Sequence, residues 1–188
     1  AGLVAAFIGP EIAFVGRDWL ATEFAGSFIG VALLFILSLV FILNYRATEA
    51  LHDPQQDTGR PLGVIIKQPV FVAAIVCATV GFSVMSFIMT ATPLAIIGCG
   101  LTASDSFNVI SWHVVAMFGP SFFTGSLITR YGDFKIIFVG AILGLLCIAV
   151  ALSGLSVSHF WIALVLLGVS WNFMFIGGTT LLTKTYKP

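Results

Sequence analysis

The sequence predicts an all-α, polytopic membrane helix bundle with about six transmembrane segments, and three observations predict it. Hydrophobic residues make up 59% of the 188-residue chain and charged residues only 9%, far from the balance of a water-soluble domain. The mean hydropathy is +1.11. The charged residues sit between long apolar runs, and a helix needs roughly 20 apolar residues to cross about 30 Å of hydrocarbon.

The segments follow from the gaps between ionisable residues. The opening run to Gly16 contains Glu11 and is slightly short, so it is expected to be the remnant of a longer helix. The chain starts without Met or a basic n-region, unlike a signal peptide, and ends just after another apolar run, so a fragment is expected. Residues 24–43, FAGSFIGVALLFILSLVFIL, lie between Glu23 and Arg46 and make one complete span. The gap from Lys67 to Asp105 holds one long helix from near Val70, followed by a turn region after Thr92-Pro93, where breakers are frequent. One more crossing fits from about Ser106 to Ile128. The long gap from Lys135 to Lys184 suits two helices, near 136–154 and 160–182, with a short turn at SGLSVSH.

This division gives two helices in residues 1–43, a polar linker over 44–69 and four helices in 70–188. Alternating crossings put Arg46, Arg60, Lys67, Arg130, Lys135, Lys184 and Lys187 on one side and Arg17 on the other. The excess of Lys and Arg marks the cytoplasmic side, which places linker 44–69 and loop 129–135 in the cytoplasm and the chain in the cytoplasmic membrane as a multi-pass protein. The end of the linker, LGVIIKQP, is apolar enough to lie along the membrane surface.

Composition also narrows function. Eight basic residues balance eight acidic ones without a basic cluster, so nucleic acid is not an expected partner. Cys77, Cys99 and Cys147 are far apart with no CxxC, so no metal site, redox pair or other cofactor is expected. No GxxxxGK[ST] loop is present to use ATP. Enzyme activity is not expected, because His113 and Glu11 lie on separate helices without metal spacing. The lipid bilayer and a small-molecule substrate are the expected partners, with protons as the expected coupling ion. The competing classes are a structural or assembly subunit and an intramembrane enzyme.

The spans differ in polarity. Segments 24–43 and 136–154 are almost wholly apolar and suited to lipid, and Gly26 with Gly30 and Gly140 with Gly144 put small residues on one face for close packing. The helix from Val70 aligns Thr79, Ser83, Ser86 and Thr90 in a polar stripe. The next helix aligns His113, Met117, Ser121 and Thr124, and the last aligns Gly168, Asn172, Phe175 and Thr179. Polar groups at membrane depth line wet cavities or bond neighbouring helices, so the substrate-cavity candidates are Thr79, Ser83, Ser86, Thr90, His113, Met117, Trp171 and Asn172. Against this stands ordinary packing, with Ser and Thr hydroxyls bonded back to carbonyls of their own helix. The coupling candidates are Glu11, an intramembrane carboxylate, and His113, which titrates near neutral pH. Trp112 and Trp171 are placed to stack on a planar substrate, whereas Trp19 and Trp161 read as interfacial anchors.

The loop GSLITRYGDFK, with Gly125, Leu127, Arg130, Gly132 and Lys135 at fixed spacing and Asp133 beside them, resembles the loop signature of the major facilitator superfamily. Where that signature usually carries an acidic residue before the basic one, this chain has Thr129, which suits the weaker copy in the second half of these transporters. Phe7-Ile8-Gly9-Pro10 also resembles the Gly-Pro kink of the family's fifth helix. The resemblance implies a partial fold of helices five to ten from a twelve-helix permease. Residues 1–43 then end the N-terminal lobe, 44–69 form the central linker, and 70–188 begin the C-terminal lobe. Helices one to four, eleven and twelve are the missing partners. It further implies alternating-access transport of a small organic solute, with the cavity lined by helices five, seven, eight and ten and with six and nine peripheral.

Overall fold

A computed structural model describes residues 2–44 and 61–185. Every regular element among them is helical: α1 (Gly2–Val15), α2 (Ala25–Asn44), α3 (Leu62–Ile66), α4 (Pro69–Gly98), α5 (Ala103–Phe118), α6 (Ser121–Tyr131), α7 (Asp133–Ser153) and α8 (Val157–Thr183), with a 3-10 turn at Gly16–Asp18. The fold is a partial membrane helix bundle. Most of the expected linker 44–69, including Arg46 and Arg60, lies outside the described residues, as does Lys187.

The chain divides into two compact units, residues 7–60 and the remainder. In the first, α1 and α2 run antiparallel because small residues let them meet. A Cβ on Gly26 would lie 2.4 Å from the Gly16 carbonyl oxygen, and one on Gly30 would lie 2.6 Å from Ile12 Cγ2. Ser27 adds a hydrogen bond from its hydroxyl to the Ala13 carbonyl at 2.8 Å. Phe24 closes the turn at φ 65°, with the Arg17 guanidinium 5.5 Å over its ring and 2.6 Å from Glu23. The rest of α2 is exposed Leu, Ile, Val and Phe, the composition a lipid-facing helix requires.

In the second unit, α8 is the centre and α4, α5 and α7 pack around it. Glycine makes each approach possible. A Cβ on Gly178 would meet the Ala74 carbonyl oxygen of α4 at 3.1 Å, one on Gly168 the His113 carbonyl oxygen of α5 at 2.7 Å, and one on Gly177 the Ile137 side chain of α7 at 2.7 Å. On α7, Gly140 and Gly144 both face α8, and Ser170 donates to the Gly140 carbonyl at 2.7 Å. Apolar layers fill the spaces between, from Ile96, Val109, Phe160 and Leu164 to Ala74, Ile137 and Leu181.

Four described helices, α2, α4, α7 and α8, are each long and apolar enough to cross a membrane. The other two expected segments correspond to α1 and to the pair α5 and α6. Two expectations are corrected. The turn comes later than Pro93: α4 runs through it to Gly98, with Thr92 bonded back to the Ile88 carbonyl at 2.7 Å, and the turn falls at Cys99-Gly100, where Gly100 takes φ +78°. A proline removes one ladder hydrogen bond, which an otherwise intact helix at membrane depth tolerates. Conversely, the stretch from Ser106 to Ile128 is not one regular helix. It breaks at Gly119-Pro120, where Pro120 has no N–H to donate. The segment LGVIIKQP forms the short helix α3 with Leu62, Val64 and Ile66 exposed, and Pro69 starts α4 at its first turn.

Candidate substrate-binding face

The break at Gly119-Pro120 is held from α8. Asn172 has no exposed surface, and its amide nitrogen donates to the Met117 carbonyl at 2.6 Å and to the Ser121 hydroxyl at 2.7 Å. Its side-chain oxygen accepts from the Thr124 hydroxyl at 2.7 Å. Every polar atom of the amide is thereby satisfied. Asn172 is thus enclosed between α8, α5 and α6. His113 is also without exposed surface, its Nδ1 lies 2.8 Å from the Leu164 carbonyl of α8, and its Nε2 has no partner. The stripe His113, Met117 and Thr124 is turned onto α8, with Ser121 exposed at its edge.

On α4 the hydroxyl stripe has the opposite placement. The packed face of the helix carries Ala74, Gly81, Met85, Thr92 and Ile96, while Thr79, Ser83 and Thr90 are exposed and Ser86 is half-buried. Thr90 donates to the Ser86 carbonyl at 2.8 Å, and on α8 the exposed Thr179 donates to the Phe175 carbonyl at 2.9 Å. These two hydroxyls keep their acceptor lone pairs while their protons are engaged. Ser83 lines an apolar groove of about 540 Å³ with Phe87, Cys147 and Leu152.

Trp171 brings together residues the sequence keeps apart. Its ring stacks parallel on Phe175 at 4.9 Å and meets Phe118 of α5 edge-on at 6.0 Å. Phe175 meets Phe82 of α4 at 6.2 Å. Met85 and Met117 pack against Trp171, with Met89 beside them. The indole N–H of Trp171 is buried without an acceptor. Phe82 and Phe118 occupy ordinary apolar positions in sequence, so only the helix crossing singles them out. Trp112, the other tryptophan placed for stacking, meets Trp161 edge-on at 5.8 Å. Glu11 is exposed on α1.

The loop motif makes a sharp corner between α6 and α7. Gly132 takes φ +88°, which favours glycine, and its N–H closes α6 on the Ile128 carbonyl at 2.8 Å. Asp133 pairs with Lys184 at the end of α8, outside its own loop. Arg130 lies over the ring of Tyr131, and Lys135 and Gly125 are exposed while Leu127 is half-buried. The tertiary approach of the α8 terminus, invisible in the loop itself, decides the pairing.

The family model described as Major Facilitator Superfamily matches residues 1–188. The chain belongs to that superfamily. Among curated relatives of this major facilitator chain is the riboflavin transporter RfnT of Brucella anthropi, 44% identical over 190 residues that cover 100% of this chain and 48% of the relative. Two uncharacterized MFS-type transporters of Bacillus subtilis also match. YdeG is 31% identical over 96% of this chain and 46% of its own length, and YddS is 29% identical over 87% and 41%. The chain thus spans about half the length of the curated relatives it matches. No solved structure matches it.

Proposed function

We propose that this chain is the central part of a secondary permease that carries a small planar organic solute of the flavin class by alternating access. The observation that carries this reading is the 44% identity, along the whole chain, to a protein named as a riboflavin transporter. The line of aromatic rings shared by α4 and α8, with exposed hydroxyls on the same two helices, supports a flat, partly polar ligand. Thr79, Ser86 and Thr90 belong to the pathway wall in this reading, with Met117 and Trp171 behind it. Asn172 and His113 hold helices together.

Residues 1–43 end the first lobe, 44–69 link the lobes, and 70–188 begin the second, with the cavity completed by helices outside this chain. The linker and loop 129–135 face the cytoplasm, as the clustering of Lys and Arg supports. The reading includes proton coupling, with Glu11, a carboxylate exposed on α1, as the first candidate carrier. No catalytic role is assigned.

Riboflavin uptake into proteoliposomes holding the full-length protein tests this. Saturable uptake that quickens under an inward proton gradient is expected. Uptake no faster than in protein-free liposomes removes the flavin reading, and uptake indifferent to the gradient removes proton coupling.

A further inference from the structure

Four rings from three helices form one continuous line: Phe118 on α5, Trp171 and Phe175 on α8, and Phe82 on α4, with successive centroids 6.0, 4.9 and 6.2 Å apart. The two ends differ. Phe118 is half-buried against the Met85, Met117 and Trp171 cluster, whereas Phe82 is 50% exposed and Phe175 half-buried. An exposed phenylalanine at the end of an aromatic stack is an unfilled stacking position, because offset and tilted ring pairs gain attraction beyond simple burial.

A second observation points the same way. Trp171 is 8% exposed and its indole nitrogen has no acceptor within reach. A buried donor left unpaired is unfavourable, and such orphans are rare unless a ligand or water answers them. Its surroundings are also adaptable, since Met85, Met89 and Met117 are unbranched and polarizable, and thioethers contact aromatic rings favourably. Helical spacing adds polar groups at the rim: Ser86 lies one turn beyond Phe82 on α4, and Thr179 one turn beyond Phe175 on α8.

The geometry points to the Phe82, Phe175 and Trp171 line as the subsite for the planar ring of the substrate. The ring lies along the open side of Phe82 and Phe175 rather than beyond the end of the line, so that a ring carbonyl takes the Trp171 N–H as the methionines shift. Because α4 and α8 run antiparallel, Ser86 and Thr179 lie one turn to either side of the Phe82 and Phe175 pair and border opposite ends of the ring. This rests on the flavin reading proposed above, and it names the residues that recognise the ring system.

Fluorescence titration of the full-length protein with riboflavin separates the two claims, because stacking on an aromatic side chain quenches flavin emission. The wild type is expected to bind with quenched emission. Phe82→Leu and Phe175→Leu are expected to bind about fivefold to tenfold more weakly with part of the quenching lost. Trp171→Phe, which keeps a ring but removes the donor, is expected to weaken binding similarly, while Phe138→Leu on α7 binds like the wild type. Phe82 is half exposed, so its leucine variant does not open a buried core. Wild-type affinity and full quenching in the folded Phe82→Leu and Phe175→Leu proteins would overturn the subsite and leave the flavin reading standing. Absence of riboflavin binding by the wild type would overturn both.

Discussion

Thr124 on α6 shares its hydroxyl proton between the side-chain oxygen of Asn172 on α8 at 2.7 Å and the Pro120 carbonyl at 2.8 Å, and neither Thr124 nor Asn172 has exposed surface. The same Asn172 takes the Met117 carbonyl on the far side of the Gly119-Pro120 break. One amide therefore spans both halves of an interrupted helix, where the irregular backbone leaves carbonyls in need of donors.

This arrangement predicts coupled destabilisation. Asn172→Leu and Thr124→Val are each expected to lower unfolding stability by about 0.5–2 kcal/mol. The double variant should fall short of their sum, since both remove the same bond. A double-mutant cycle measured by detergent-induced unfolding checks this, and strict additivity would show the contact to be energetically idle.

Gly168 and Gly125 should respond oppositely to alanine. A Cβ on Gly168 would approach the His113 carbonyl oxygen at 2.7 Å and the Met117 nitrogen at 2.9 Å, both backbone atoms that cannot swing aside. A Cβ on Gly125 meets nothing within 4 Å. Size-exclusion chromatography of fluorescently tagged variants should show Gly168→Ala largely lost or aggregated and Gly125→Ala at wild-type yield. Equal yields would mean that α5 and α8 can separate without penalty.

Asp133 is only 4% exposed on its side chain while its partner Lys184 is 56% exposed. Removing the cation strands a buried carboxylate, which is worse than removing both charges. Lys184→Met should therefore lower thermal stability more than the pair Lys184→Met with Asp133→Asn. A double variant no more stable than Lys184→Met alone would count against this pairing.

The α5 start carries a pH-sensitive cap. The hydroxyl and N–H of Thr102 donate to Asp105 at 2.7 and 2.9 Å, and the Asp105 N–H donates back to the Thr102 hydroxyl at 3.1 Å. The side-chain and then the backbone hydrogen bond from Thr102 hold the Asp105 carboxyl below its ordinary value. A lowered folded-state pKa adds stability above the unfolded-state value and loses it as pH falls through the folded-state value. The Thr102→Ala protein should thus melt below the wild type at about pH 7, with the gap narrowing toward about pH 3. A gap that stays constant over this range would exclude the carboxylate as its source.

Much of the fold was legible because hydrocarbon imposes a simple rule on a chain. The uncharged runs around α2, α7 and α8 announce helices since only internally bonded backbone survives there, and Gly140 and Gly144 announce a close approach. The polar stripe of α4 was legible for the same reason, with helical period separating Thr79, Ser86 and Thr90 from Ala74 and Met85. The two proline misreadings share one cause. Pro93 and Pro120 are alike in sequence, yet one stays inside a helix and the other marks a break tied to Asn172.

The sequence by itself thus determined the solvent, the helices and the family, because those depend on local composition, periodicity and a motif of contiguous residues. Only the tertiary structure decided which polar groups are engaged: that Asn172 faces α5 and α6 and His113 faces α8, that Asp133 pairs with Lys184, and that Phe82 joins Trp171 and Phe175. These partners come from separate helices, and the helix crossings at Gly168, Gly177 and Gly178 bring them within reach of one another.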